Sequence, residues 1–182
     1  MEKLFKITKD TKKSIRMKSK TLSLPLSDEL TELGIEMLNY IKASQDEEYC
    51  LKNNIRSGVG LAAPQIGRNI DLIAIYLEVE NGEPYQYVLA NPRIIEESVQ
   101  LIALEHGEGC LSVEGEHKGI VYRHNKIKVT AYDVLAKKNV EISATGMISI
   151  VLQHEIDHLF GILFYDRINK LEQGIKEGTI LL

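Results

Sequence analysis

Cysteine is scarce in this chain, with only Cys50 and Cys110 among 182 residues, which leaves no material for a disulfide framework and predicts a protein of the reducing cytoplasm. Cys50 lies in a polar stretch and reads as an ordinary free thiol, which makes a Cys50–Cys110 bridge the weaker reading. Long apolar runs are missing too. Nothing approaches the roughly 18 apolar residues needed to cross a bilayer, and the N-terminus lacks the apolar core of a signal peptide. No internal repeat, low-complexity tract or linker interrupts the sequence, and 44% apolar residues suffice to bury a core in a single domain, 1–182. The formal charge is −4, yet Lys3, Lys6, Lys9, Lys12, Lys13, Arg16, Lys18 and Lys20 face only Glu2 and Asp10 in a basic arm over about 1–20. Such an arm is expected to be a solvated, partly frayed terminus, with ribosome docking as the sharper alternative.

Of the five histidines, two stand four apart in His154-Glu155-x-x-His158. On an α-helix that spacing stacks both imidazoles on one face, where they can share a cation while Glu155 stands beside its open position. Gly146 to Gln153 lead in without a proline and Gly161 suits the residue just past a helix C-terminus. A third ligand must come from elsewhere. A metzincin protease would place a histidine at position 164, which is Phe here, and a thermolysin-like glutamate could only be Glu172 or Glu177 in a short tail. Cys110 is the better candidate, in a glycine-rich run, Gly107-Glu108-Gly109-Cys110-Leu111-Ser112, where backbone can approach a bound group.

Three segments in order, Gly58-Val59-Gly60-Leu61-Ala62-Ala63-Pro64-Gln65, Gly107 to Ser112 and Gln153 to Leu159, resemble the signature segments of peptide deformylase. The resemblance runs from about Leu22 to Asp166. The polar stretch 43–56 and the segment between Cys110 and Arg123 resemble insertions of the subgroup from low-GC Gram-positive bacteria and their wall-less relatives. It implies a metal-dependent amidase that takes the formyl group from the N-terminal methionine of nascent peptides, with metal on Cys110, His154 and His158 and with Glu155 moving the proton. It also assigns the stabilisation of the carbonyl oxygen to the Gln65 side-chain amide and the Leu111 backbone N–H. One divalent metal per chain is expected. Thiolate and imidazole ligands suit zinc, iron, cobalt or nickel, and the resemblance implies Fe2+ in the cell. A HExxH endopeptidase and a non-catalytic, metal-stabilised module that binds peptides or ribosomes are the competing readings.

On the metal helix, Met147, Ile150 and Val151 share the histidine face, and with Val59 they are expected to line a pocket for methionine; Ile148, Leu152, Ile156 and Leu159 point to the core. Peptide backbone is expected to pair near Val59-Gly60, and the small residues there to let peptide and metal lie close to the strand. Glu108 and Arg123 read either as charges that orient the site or as an ordinary structural ion pair, neither with a catalytic role, Asp157 as solvent-exposed or helix-packing, and His117 as part of a surface turn. Nascent formyl-methionyl peptides are the expected partners of a cytoplasmic monomer, with no specific nucleic acid and no membrane.

For the fold, Ser27-Asp28-Glu29 caps an amphipathic helix ending near Lys42, and 43–56 reads as an exposed loop. Residues 70–76 and 85–89 form a hairpin about Asn81-Gly82-Glu83, Asn91-Pro92 breaks the pattern, and 94–95, 99–104, 127–132 and 140–143 are further strands. Strands grouped ahead of a late helix predict an α+β domain, antiparallel sheets packed around a central C-terminal HExxH helix, with an N-terminal helix.

Overall fold

In a computed structural model that describes residues 4–168 and 175–182, helix α1 spans Asp28–Ala43. The Ser27 hydroxyl accepts the Leu30 N–H, and Asp28 and Glu29 oppose Lys42 along the helix dipole. Strands β1 (Gly60–Ala62), β2 (Leu72–Leu77), β3 (Tyr85–Glu97), β6 (Lys126–Asp133) and β7 (Lys138–Thr145) form one antiparallel sheet in the order β1-β2-β3-β6-β7. Short strands β4 (Leu101–Ala103), β5 (Arg123–His124) and β8 (Ile180–Leu181) make a second sheet, in which β8 runs parallel to β4. The late helix, α3, spans Met147–Leu159.

Alternation along the central strands decides which layer each side chain joins. Leu72, Ala74, Val88 and Ala90 turn toward Met37, Leu38 and Ile41 of α1, whereas Ile73, Ile75 and Leu89 turn toward Ile148, Val151, Leu152 and Ile156 of α3. The large sheet thus separates the two helices, and α3 lies in the angle between sheets. Its N-terminal half is fastened to β5 by Gln153, which accepts the His124 N–H at 3.0 Å and donates to the His124 carbonyl at 2.9 Å. Gly161 closes the helix in the left-handed region at φ 72°, where its missing Cβ also avoids the backbone of Arg16. This is the α+β class read from the pattern.

Three expectations about local structure fail for identifiable reasons. The polar stretch 43–56 contains a second helix, α2 (Glu47–Asn53), because Asp46 caps it by accepting the Tyr49 N–H at 2.8 Å and Asn54 closes it at φ 51°. Asn91-Pro92 does not end a strand: β3 runs through it with a register shift between Ala90 and Arg93. There Asn91 takes φ 53°, and its amide both accepts from and donates to the Leu22 backbone, at 2.8 and 2.9 Å.

The basic arm, from residue 4 onward, is bound to the body of the molecule rather than frayed. Ile15 is fully buried, Thr8 N–H donates to the Gln65 carbonyl at 2.7 Å, and Ser19 N–H donates to the Leu159 carbonyl at 2.8 Å. Lys3 and Glu172 lie outside the described residues, and Glu177 sits in a turn before β8. No helix among the described residues is long and apolar enough to cross a membrane.

Candidate metal centre and active site

Helix α3 delivers His154 and His158 one turn apart, and the loop after β4 brings Cys110 to the same point. The three ligand atoms lie within 4.8 Å of one another, and the ring centroids of His154 and His158 are 5.0 Å apart. Cys110 Sγ stands 3.3 Å from His158 Nε2. Tetrahedral donors bonded to one ion at roughly 2.0–2.3 Å stand roughly 3.5 Å apart, so the spacing fits a single cation. The donor chemistry fits as well, since a thiolate and two imidazoles suit divalent zinc, iron, cobalt or nickel.

Charge around the cluster points the same way. His154 Nδ1 donates to Glu108 Oε2 at 2.8 Å, which leaves Nε2 for Cys110 and a shared ion. Burial would hold the His154 imidazole in its neutral form, but hydrogen bonds to Cys110 and Glu108 outweigh it and push its pKa up to about 10. Burial and the nearby His154 hold the His158 pKa well below its ordinary value.

Glu108 is locked in place. Arg123, buried to 2% exposure, donates Nε and Nη2 to its two oxygens at 2.8 and 2.9 Å. Arg123 Nη1 reaches Asp157, which Arg167 grips with both Nε and Nη2. Burial alone would raise the Glu108 pKa, yet hydrogen bonds from Arg123 and His154 prevail and bring it down to about 2. The two readings left open for Glu108 and Arg123, an ion pair and charges that orient the site, prove compatible: the two residues pair, and Glu108 also holds His154. Asp157 is not solvent-exposed, being 6% accessible, because two guanidinium groups compensate its charge. Nothing in residue spacing signals such a network, whose members meet only in three dimensions.

Glu155 is the opposite case. It is 4% exposed, and its Oε2 has no hydrogen-bond partner among the described residues. Burial pushes its pKa up to about 7, with His154 opposing and Glu108 assisting, which suits a group that must take and return a proton at neutral pH. Gly60 makes room for it: a Cβ there would lie 2.7 Å from both Cγ and Cδ of Glu155. The small residue at position 60 therefore accommodates the glutamate.

A cavity of about 290 Å³ opens beside the cluster, and Val59, Gly60, Met147, Ile150 and Val151 line it together with Gln65, Cys110, Leu111, His154 and Glu155. Val151 also belongs to the core, and His158 is not among the residues that line the cavity. Arg56 and Leu104 line the cavity as well and had no signal in the sequence. Gln65 is buried, with Oε1 accepting the Ala62 N–H at 2.8 Å and Nε2 directed at Ser112 Oγ and Cys110 Sγ, 3.3 and 3.5 Å away. Its amide is thus oriented toward the sulfur. Phe164, at the position where a metzincin has its third histidine, is buried with its ring stacked on His154, centroids 6.3 Å apart. His117 is exposed and stacks on Tyr165, and Cys50 is a free thiol.

An α+β domain with two helical histidines, a loop cysteine and an unpaired carboxyl at the edge of an apolar cavity belongs to the hydrolytic metalloenzymes. The model of the polypeptide deformylase family matches residues 4–174, and the chain belongs to that family, whose known activity is metal-dependent removal of the formyl group from N-terminal methionine. It is 44% identical over 180 residues to a peptide deformylase of Ligilactobacillus salivarius, covering 97% of this chain and 96% of that one. It is 45% identical over 167 residues to the Staphylococcus epidermidis enzyme, covering 91% of each. The similar proteins come mainly from Gram-positive Firmicutes. Among solved structures, the Met-Ala-Ser-bound peptide deformylase of Acinetobacter baumannii superposes with a TM-score of 0.72 at 30% identity, covering 92% of this chain and all of that one.

Proposed function

We propose that Cys110, His154 and His158 of this chain hold one divalent metal, Fe2+ in the cell with Zn2+, Ni2+ or Co2+ able to replace it, and that Glu155, Gln65 and Leu111 carry the deformylation. A divalent cation on these ligands supplies Lewis acidity and brings the pKa of a water down to about 7. Glu155 accepts a proton from the attacking water as its oxygen adds to the formyl carbon. The carboxyl then returns that proton to the methionine nitrogen as the C–N bond breaks, leaving formate and a free amine. Gln65 Nε2 and the Leu111 N–H donate to the carbonyl oxygen as it gains charge, and because both are held before substrate arrives they need no reorganisation.

Val59, Met147, Ile150 and Val151 receive the methionine side chain, and the peptide beyond it pairs in extended form along Val59-Gly60, a mode that reads little sequence. Met-Ala-Ser, which the A. baumannii relative binds, is the peptide that deformylation of formyl-Met-Ala-Ser would leave. The substrates are then nascent chains, met in the cytoplasm by a monomer of one domain. Any ribosome contact through the arm falls to its exposed basic residues, among them Lys6, Lys12 and Lys13.

The observation that carries this reading is the unpartnered Glu155 oxygen, buried beside a Cys-His-His cluster on an apolar cavity. Formate release from formyl-Met-Ala-Ser by the metal-loaded chain is the test. Release of formate without cleavage of internal bonds in an unblocked peptide is expected; internal cleavage without formate would point to the endopeptidase instead.

A further inference from the structure

The basic arm crosses the back of the site and touches the three segments that carry the reacting groups. Its Thr8 N–H donates to the Gln65 carbonyl at 2.7 Å, and its Asp10 N–H donates to the Ser112 carbonyl at 2.9 Å. Residues two apart in extended chain point the same way, so Thr8 and Asp10 form a two-pronged backbone bridge between the Gln65 turn and the Cys110–Ser112 loop. Between them, Lys9 Nζ donates to the Leu111 carbonyl at 3.3 Å and pairs with Glu114 at 3.0 Å. Further along, Ile15 is fully buried in a cluster with Cys110, Val113, Leu163 and Phe164, and Ser19 N–H holds the Leu159 carbonyl at the end of α3. Arg16 anchors this stretch to Asp166 and Tyr165.

These contacts fall on the groups flanking the two oxyanion donors. The Gln65 turn and the Leu111 loop are 46 positions apart in sequence, and their relative position fixes the angle between the Gln65 amide and the Leu111 N–H. The peptide plane that carries the Leu111 N–H also carries the Cys110 carbonyl, which accepts the Val113 N–H at 3.2 Å to close the turn, and the arm caps the next two carbonyls of that turn, Leu111 and Ser112, and so holds the turn in which the plane sits. Donors must sit within a few tenths of an ångström of the developing charge to be effective, and a misplacement of about 1 Å costs on the order of a hundredfold in rate.

We infer that Thr8, Lys9 and Asp10 are positioning residues for deformylation: the arm braces the Gln65 and Leu111 donors against each other. This rests on the roles given to Gln65 and Leu111 above. A brace of this kind acts on the transition state more than on the bound substrate, because the oxyanion exists only during reaction. Its removal therefore lowers kcat while leaving KM, and it leaves the metal because none of Cys110, His154 and His158 is touched by residues 8–10.

The experiment compares Thr8→Pro, which deletes the first N–H donor, and Asp10→Pro, which deletes the second together with the carboxylate that accepts the Tyr165 hydroxyl, with Lys9→Met, which keeps the alkyl stem but loses the carbonyl contact and the Glu114 pair. Lys18→Met, whose ammonium lies over the Phe160 ring, removes the same charge from the arm away from the site. Full-length, metal-loaded chains are assayed on formyl-Met-Ala-Ser, with metal content measured alongside. The inference predicts kcat lower by about tenfold or more in each proline variant and a few-fold in Lys9→Met, KM within twofold, one metal per chain, and Lys18→Met unchanged.

Undiminished kcat in Lys9→Met and in whichever proline variants fold would overturn it. So would a rise in KM alone, loss of metal, or an equal fall in Lys18→Met, which would mean that charge and not bracing matters. Failure of the unaltered chain to release formate removes the proposed reaction and this inference together, whereas normal release by both the unaltered chain and the variants removes the brace alone.

Discussion

Glu108 and Glu155 are two carboxyls of almost equal burial around one imidazole, and their surroundings send them in opposite directions, to about 2 and about 7. Around Glu108 every oxygen is matched: Arg123 covers both, His154 adds a bond, and Asp157 with Arg167 balances the remaining charge. Around Glu155 there is an apolar cavity wall, a glycine and an oxygen without a partner. Desolvation raises both pKa values, and only the supply of donors differs. The paired carboxyl is structural and orients a ligand; the unpaired one is free to exchange a proton. Two acids driven apart in this way have different roles, and the fold gives each the surroundings its role requires.

Arg123→Leu attacks the matched side most severely, since it leaves Glu108 and Asp157 buried with one guanidinium too few. We expect a loss of about 3–5 kcal/mol in stability, read by denaturant unfolding; a loss below about 1 kcal/mol would show that the network is solvated and the contrast overstated. On the unmatched side, Gly60→Ala forces Glu155 from its place, and kcat should drop on the order of a hundredfold with metal content intact. An active Gly60→Ala enzyme would mean that Glu155 has slack the packing does not show.

Smaller is the effect of Glu108→Gln, which keeps the shape and loses the charge that orients His154. Metal affinity, measured by competition with a chelator, should weaken by about 10–100-fold, and unchanged affinity would demote Glu108 to packing. Smallest is Arg167→Ala. Its side chain is 42% exposed and Asp157 keeps Arg123, so a change of no more than about 1 kcal/mol in unfolding free energy is expected. A much larger loss would extend the structural network to the surface.

The legible part of this molecule was the part written in local periods. The α1 cap at Ser27, the α3 ligand spacing and the closing Gly161 all follow from chain geometry over a turn or two. The hairpin of β2 and β3, and β6 and β7 as strands, follow from alternation. What stayed hidden depends on partners distant in sequence. A reader of residues cannot tell that Arg123 will hold Asp157 as well as Glu108, that Asn91 will carry a strand through a proline by binding Leu22, or that Gly60 makes room for a carboxylate 95 positions later. The basic arm misled for a related reason: charge suggested solvation, whereas its backbone N–H groups and Ile15 tie it to the body. Asp46 was a readable cap for α2 that the polarity of its surroundings obscured.

The account stands most directly on Glu155→Ala, in which metal content and formate release from formyl-Met-Ala-Ser are measured on the same preparation. It predicts one metal per chain, as in the unaltered protein, with kcat lower by roughly a thousandfold or more. Turnover within a few-fold of the unaltered chain, with metal in place, would contradict it.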